Sequence, residues 1–135
     1  MHILSVDPGG TTGIAYQLVG PNDQYLIDTT FIETPEPLYD LVLEHKWDIV
    51  LCERFATAGR LSKYGIYTIQ LVGGVHALCY EHGLKFQYRQ PQNRTAFQDA
   101  AKAWFRGEKH LDHEEDALAH LLSWKSLQVG TTGNI

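Results

Sequence analysis

The chain has 135 residues, 44% of them hydrophobic, and a formal net charge of -5 at pH 7. That length fits one domain with a real core, and the acidic balance argues against a broad basic footprint on nucleic-acid phosphates, although acids that hold cations inflate the negative count. The two cysteines, Cys52 and Cys79, sit in apolar segments without CxxC spacing, which excludes a disulfide scaffold and points to reduced core residues.

Residues 2–7 form an apolar run that reads as a buried strand, with Asp7 at its tip and Pro8 behind it. The run is too short for a secretory signal, and no stretch approaches a membrane span, so a cytoplasmic location is expected. Residues 13–19 read as a second strand, "GPND" at 20–23 as a turn, and residues 24–33 as a third strand. Tight turns between neighbouring strands predict an antiparallel meander. Thr34 is a candidate cap for a helix that places Leu38, Leu41, Val42 and His45 on one face.

Residues 48–53, "DIVLCE", are a fourth strand that again ends in an acid, Glu53. "RFATAGRLSKYG" is a loop. Residues 66–81 fit a helix, and Gly73-Gly74 within it predicts close packing against another element. Gly83 caps that helix, and residues 84–89 are a fifth strand. A loop and helix follow through "PQNRTAFQDAAKAWF". A last helix starts at Asp112 or His113 and runs to about residue 127. The expected organisation is one domain over residues 1–127 with a flexible tail at 128–135. The expected fold class is α/β, a mixed five-stranded sheet flanked by helices: three antiparallel strands, then parallel strands returned by crossover helices.

Asp7 and Glu53 end strands that, if adjacent, bring both acids to the sheet edge where open α/β sheets bind ligands. The last helix opens with "DHEEDALAH", in which His113 and Asp116 share a face, as do Asp112 and Asp116. Close carboxylates raise one another's pKa, and divalent cations remove that conflict. Oxygen donors suit Mg²⁺ or Mn²⁺, and a histidine tilts the set towards Mn²⁺. Each feature also has a plain reading: strand-end acids form turns, and acids in a helix's first turn complement its dipole. The combination is what points to metal chemistry.

"LSVDPGGTTGIA", "LCERF" and "HEEDALAH", in this order, resemble the RuvC-type Holliday-junction resolvases of the RNase H-like superfamily. The resemblance spans about residues 3–124 and suggests a compact, phage-type form in a bacterial or phage-infected cell. It implies a metal-dependent endonuclease that cuts four-way DNA junctions symmetrically, with two Mg²⁺ or Mn²⁺ ions about 3.5–4 Å apart. Asp7 would bridge both ions, Glu53 would complete one site and Asp116 the other. His113 stands where many members have a second aspartate; Asp112 and Glu115 are reserve candidates, and His120 a residue behind the ligands. DNA contacts are implied for Arg54, Arg60, Lys63, Arg89, Asn93, Arg94 and Lys102, with Phe55 as a wedge at an unstacked step. Paired cuts imply a homodimer, with its interface near residues 64–82.

Three other readings stay open. An RNase H-like nuclease for other branched DNA or RNA would share the metal site. A non-catalytic DNA-binding module would not need the acids. "DPGGTTG" also resembles the phosphate-binding turn of actin-like and sugar kinases, which enclose nucleotides between two domains. Gly9, Gly10 and Gly13 are expected to let the chain turn sharply after Asp7 without crowding a substrate.

Overall fold

A computed structural model describes residues 1–54 and 63–132, with side chains for 1–54 and 65–128. The strands are β1 (Ile3–Asp7), β2 (Thr12–Val19), β3 (Tyr25–Ile32), β4 (Ile49–Glu53) and β5 (Phe86–Arg89). The helices are α1 (Glu36–Glu44), α2 (Lys63–Glu81), α3 (Gln98–Trp104) and α4 (Asp112–Thr132). Among the described residues no helix is long and apolar enough to cross a membrane.

The sheet order is β3-β2-β1-β4-β5. β1–β2 and β2–β3 pair antiparallel, while β1–β4 and β4–β5 pair parallel. This is the mixed sheet that the sequence predicts. β1 lies at the centre and every residue of it is buried. Its alternation serves two cores, because successive side chains point to opposite faces. Leu4 and Val6 join Ile14, Val50, Leu38, Val42, Leu71 and Val75 beneath α1 and α2. Ile3 joins Ala15, Ile49, Leu51, Leu118 and Leu121 beneath α3 and α4.

Small residues let α4 cross the sheet closely. Ala15 and Ala117 are fully buried between them, and Ser5 Oγ donates to the Ala117 carbonyl at 2.7 Å. Gly13 completes this flat contact: a Cβ there would lie 2.1 Å from His113 C and O, and 2.4 Å from Glu114 N. The glycines after Asp7 are therefore not needed for a left-handed turn. The positive-φ glycines among the described residues are Gly83 and Gly107. Gly13 is required for space against α4.

Two local expectations shift. Thr34 does not cap α1; Pro35 is the N-cap, and its carbonyl accepts from the N–H groups of Leu38 and Tyr39 at 3.1 Å. Its ring holds φ near the helical value, so the helix starts there. His45 lies just past α1 in extended conformation and packs edge-on against Trp47, with ring centroids 5.3 Å apart. The glycine pair in α2 splits its roles. A Cβ on Gly74 would strike Tyr39 of α1 at 2.3 Å, whereas one on Gly73 would meet no heavy atom within 4 Å.

Candidate active site

Parallel pairing of β1 with β4 sets Val6 opposite Cys52, so the next residues along, Asp7 and Glu53, end side by side. α4 brings its first turn to the same edge. It is held there by Glu114, whose carboxylate accepts from the Leu111 backbone N–H at 2.9 Å and from Thr29 Oγ1 at 3.1 Å. His113 Nδ1 then lies 2.6 Å from Asp7 Oδ2. One donor atom each from Asp7, His113 and Asp116 falls within 4.8 Å of the others. Two carboxylates and an imidazole form a hard-to-borderline donor set that fits Mg²⁺ or Mn²⁺.

Glu53 is held differently. Its Oε1 accepts from Arg94 Nε at 2.8 Å and lies 3.0 Å from Nε2 of the fully buried His120. Arg94 Nη1 is 3.5 Å from Asp116 Oδ1. Gln98 Nε2 donates to Asp116 at 2.9 Å and to Glu115 at 3.1 Å. Glu115 is also paired with His110 at 2.8 Å. Asp112 is exposed.

The electrostatics follow from burial. The Asp7 side chain is only 2% exposed. Burial pushes its carboxyl up to about 7; the His113 hydrogen bond opposes the shift and the Glu53 carboxylate adds to it. Burial also pushes Glu53 up, but hydrogen bonds with His120, Asp7 and Arg94 outweigh it and hold Glu53 at about 2. The hydrogen bond to Asp7 raises His113 above its ordinary 6.5, against the effect of burial.

These shifts set a pH dependence. Asp7 binds its proton more tightly folded than unfolded, so its stabilisation is whole below pH 3.8 and lost as pH rises to about 7. His113 acts likewise: its contribution is present below 6.5 and lost as pH passes its raised folded value. Glu53 has the opposite sign, being stabilising above 4.5 and losing that only as pH falls towards about 2. The ion-free protein should therefore lose stability at this site as pH rises towards neutrality, and a divalent ion that replaces the protons should restore it. Melting with and without Mn²⁺ near about pH 6 and about pH 8 checks this. The Mn²⁺-induced rise should be larger at the higher pH; equal rises would contradict it.

The remaining sequence candidates divide. Arg54 is exposed, with its guanidinium 5.4 Å from the Tyr88 ring centroid. Lys102 is exposed. Asn93 is exposed, and its Oδ1 accepts from the Gln90 backbone N–H at 2.7 Å as a local cap. Arg89, expected at a phosphate, is only 6% exposed and donates to Ser123 Oγ at 3.0 Å. Arg94, expected on the same track, lies instead among the acids. Phe55 and Arg60 fall outside the described residues, and Lys63 opens α2 with its side chain outside the described ones. Sequence reasoning missed Gln98, for which the sequence carries no signal. At the kinase-like turn, a Cβ on Gly9 would lie 2.9 Å from the His113 ring, so Gly9 makes room for that imidazole.

No protein-family model and no curated protein matches the chain. Solved structures do match. Thermus thermophilus RuvC in complex with a Holliday-junction substrate aligns with a TM-score of 0.69 at 15% identity, over 91% of this chain and 92% of that one. The fowlpox virus resolvase, solved with Holliday-junction DNA, aligns at 0.65 and 14% identity, over 94% and 99%. The yeast mitochondrial Holliday junction resolvase Ydc2 aligns at 0.62 and 11% identity, over 94% and 78%. TM-scores of 0.62 to 0.69 over more than nine-tenths of this chain show that it shares the fold of these resolvases.

Proposed function

We propose that this chain is a divalent-metal-dependent endonuclease that resolves four-way DNA junctions by paired phosphodiester hydrolysis. The observation that carries the reading is the convergence of Asp7, Glu53, His113 and Asp116 from two strand tips and one helix start. It occurs in a fold shared with resolvases solved on junction DNA.

Asp7, His113 and Asp116 would hold the ion, as Mg²⁺ or Mn²⁺. Bound there, it would supply the Lewis acidity that activates water and stabilises a leaving oxygen. The chain's own residues prepare that chemistry. Asp7 keeps an oxygen ligand in a nearly water-free position, where electrostatic effects are stronger than in bulk water. His113 pins that carboxylate from α4 at 2.6 Å. Glu53, held ionised by His120 and Arg94, contributes fixed negative charge beside Asp7. Exposed Arg54 and Lys102, together with Arg60, Lys63 and Phe55, are proposed to meet the DNA. Two free, buried cysteines support work in a reducing cytoplasm.

Incubation with a labelled immobile junction, matched duplex, fork and RNA–DNA hybrid tests the reading. Cleavage confined to the junction, dependent on Mg²⁺ or Mn²⁺ and lost in EDTA, is expected. Equal cutting of forks would assign a broader branched-DNA nuclease, and hybrid cutting an RNA-processing enzyme.

Paired cutting calls for two copies. The outer face of α2 supports a homodimer there: Ile66, Ile69, Gly73, Ala77 and Tyr80 follow one helical stripe, all are exposed, and Tyr80 is 88% accessible. Gly73 offers the open spot for close helix approach. Light scattering should give twice the chain mass. Ile69→Glu with Tyr80→Glu should give a folded monomer that no longer makes paired cuts; a wild-type monomer, with and without junction, would count against the dimer.

A further inference from the structure

The Arg94 guanidinium turns inward to the acids rather than outward to solvent. Nε donates to Glu53 Oε1 at 2.8 Å, and Nη1 donates to Gln98 Oε1 at 3.3 Å while lying 3.5 Å from Asp116 Oδ1. Gln98 closes the ring by donating from Nε2 to the same Asp116 oxygen at 2.9 Å. A fixed cation thus spans two carboxylates, one from the β4 tip and one from α4. Among the described residues, the group whose donor atoms converge as a metal site is Asp7, His113 and Asp116, without Glu53.

We propose that the site takes one divalent ion, at Asp7, His113 and Asp116, and that the Arg94 guanidinium fills the second cation position, between Glu53 and Asp116. The inference rests on the metal-dependent reading above and specifies its ion count.

Charge supports it. Asp7, Glu53 and Asp116, when ionised, carry three negative charges; one divalent ion and one guanidinium supply three positive ones. A second divalent ion at Glu53 would press against the guanidinium, which lies 2.8 Å from the Glu53 carboxylate in a partly buried site, and like charges repel there. Ligand capacity agrees. Arg94 and His120 both sit on Glu53 Oε1, so a second ion would have to use Oε2, with the guanidinium held on the same carboxylate. Arginine suits the post: it stays charged at any working pH, and its planar fork bridges two acceptors. It would place fixed positive charge beside the phosphate without loading from solution.

Counting bound Mn²⁺ per chain, from the electron paramagnetic resonance of free Mn²⁺ during titration of the full-length protein, tests this without reference to cleavage. One Mn²⁺ is expected for wild type and for Arg94→Lys, which keeps the charge. Two are expected for Arg94→Met, which vacates the position. Two or none in wild type would overturn the proposal. So would one in an Arg94→Met protein with the wild-type circular dichroism and melting profile. If Arg94→Met fails to fold, the wild-type count decides alone. Junction cleavage on the same preparations keeps the two readings apart: a wild-type chain that binds one Mn²⁺ and cuts no junction refutes the nuclease reading and leaves this one standing.

Discussion

Asp7→Asn should reduce junction cleavage by roughly 10³-fold, the upper range for removing a group that stabilises reaction charge, and should raise the melting temperature of the ion-free protein. Both effects come from one carboxylate. Its side chain is 2% exposed, and its proton affinity rises from 3.8 unfolded to about 7 folded. Above both values the group is ionised in either state, so folding buries a charge at about 1.4 kcal/mol per unit of that gap, or ~4 kcal/mol as an order of magnitude. Asparagine keeps the shape and a hydrogen-bonding oxygen for His113 but carries no charge. It should therefore relieve the strain and lose the ion. Single-turnover cleavage and thermal melting in EDTA above about pH 7.5 report the two effects separately. Loss of both stability and cleavage would mean that Asp7 is a structural anchor instead of an ion ligand.

Gly13→Ala should cost about 3 kcal/mol, at the upper end for overpacking, and lower the melting temperature by roughly 10 °C. Gly13 pairs with Asp7 across the β1–β2 ladder, so it lies directly beside the site. Its Cβ would fall 2.1 Å from backbone atoms of His113 and 2.4 Å from Glu114 N. No side-chain rotation relieves a clash with helix backbone. The first turn of α4 must move away, and it carries His113 and Asp116 with it. The same substitution should therefore abolish the Mn²⁺-induced rise in melting temperature, which a clash remote from the ligands would leave intact. A wild-type melting temperature would show that α4 does not rest on β2 as described.

Much of this architecture is legible in the sequence because burial writes itself as pattern. β1 and β4 are short apolar runs closed by Asp7 and Glu53, and their parallel pairing in the Val6–Cys52 register puts the acids side by side. The start of α4 is equally plain in "DHEEDALAH", although the helix itself continues to Thr132, past the expected end near residue 127. Helix propagation costs little once the packed turns have nucleated it, so a local composition shift marks its end poorly.

Side-chain partnerships across long sequence separations are less legible. Arg94 reaches Glu53 from 41 positions away, and nothing in "PQNRTAF" distinguishes an arginine that faces phosphate from one that neutralises acids. Arg89 is the same residue type in a similar setting, yet the sheet edge buries it against Ser123. His120 could be read as sharing the Asp116 face at four-residue spacing, but its bond to Glu53 depends on how closely α4 crosses β4. Gly13 stood out as a glycine, and its reason did not, because the atom it makes room for lies a hundred residues on in the chain.

The measurement that tests the central claim most directly is cleavage of a supercoiled plasmid bearing an extruded cruciform, with Mg²⁺ and wild-type protein. A dimer with one Asp7–Glu53–His113–Asp116 site per subunit should make both cuts within one binding lifetime and convert supercoiled DNA straight to linear product. Accumulation of nicked circles with no linear product, or no cleavage of the cruciform at all, would contradict it.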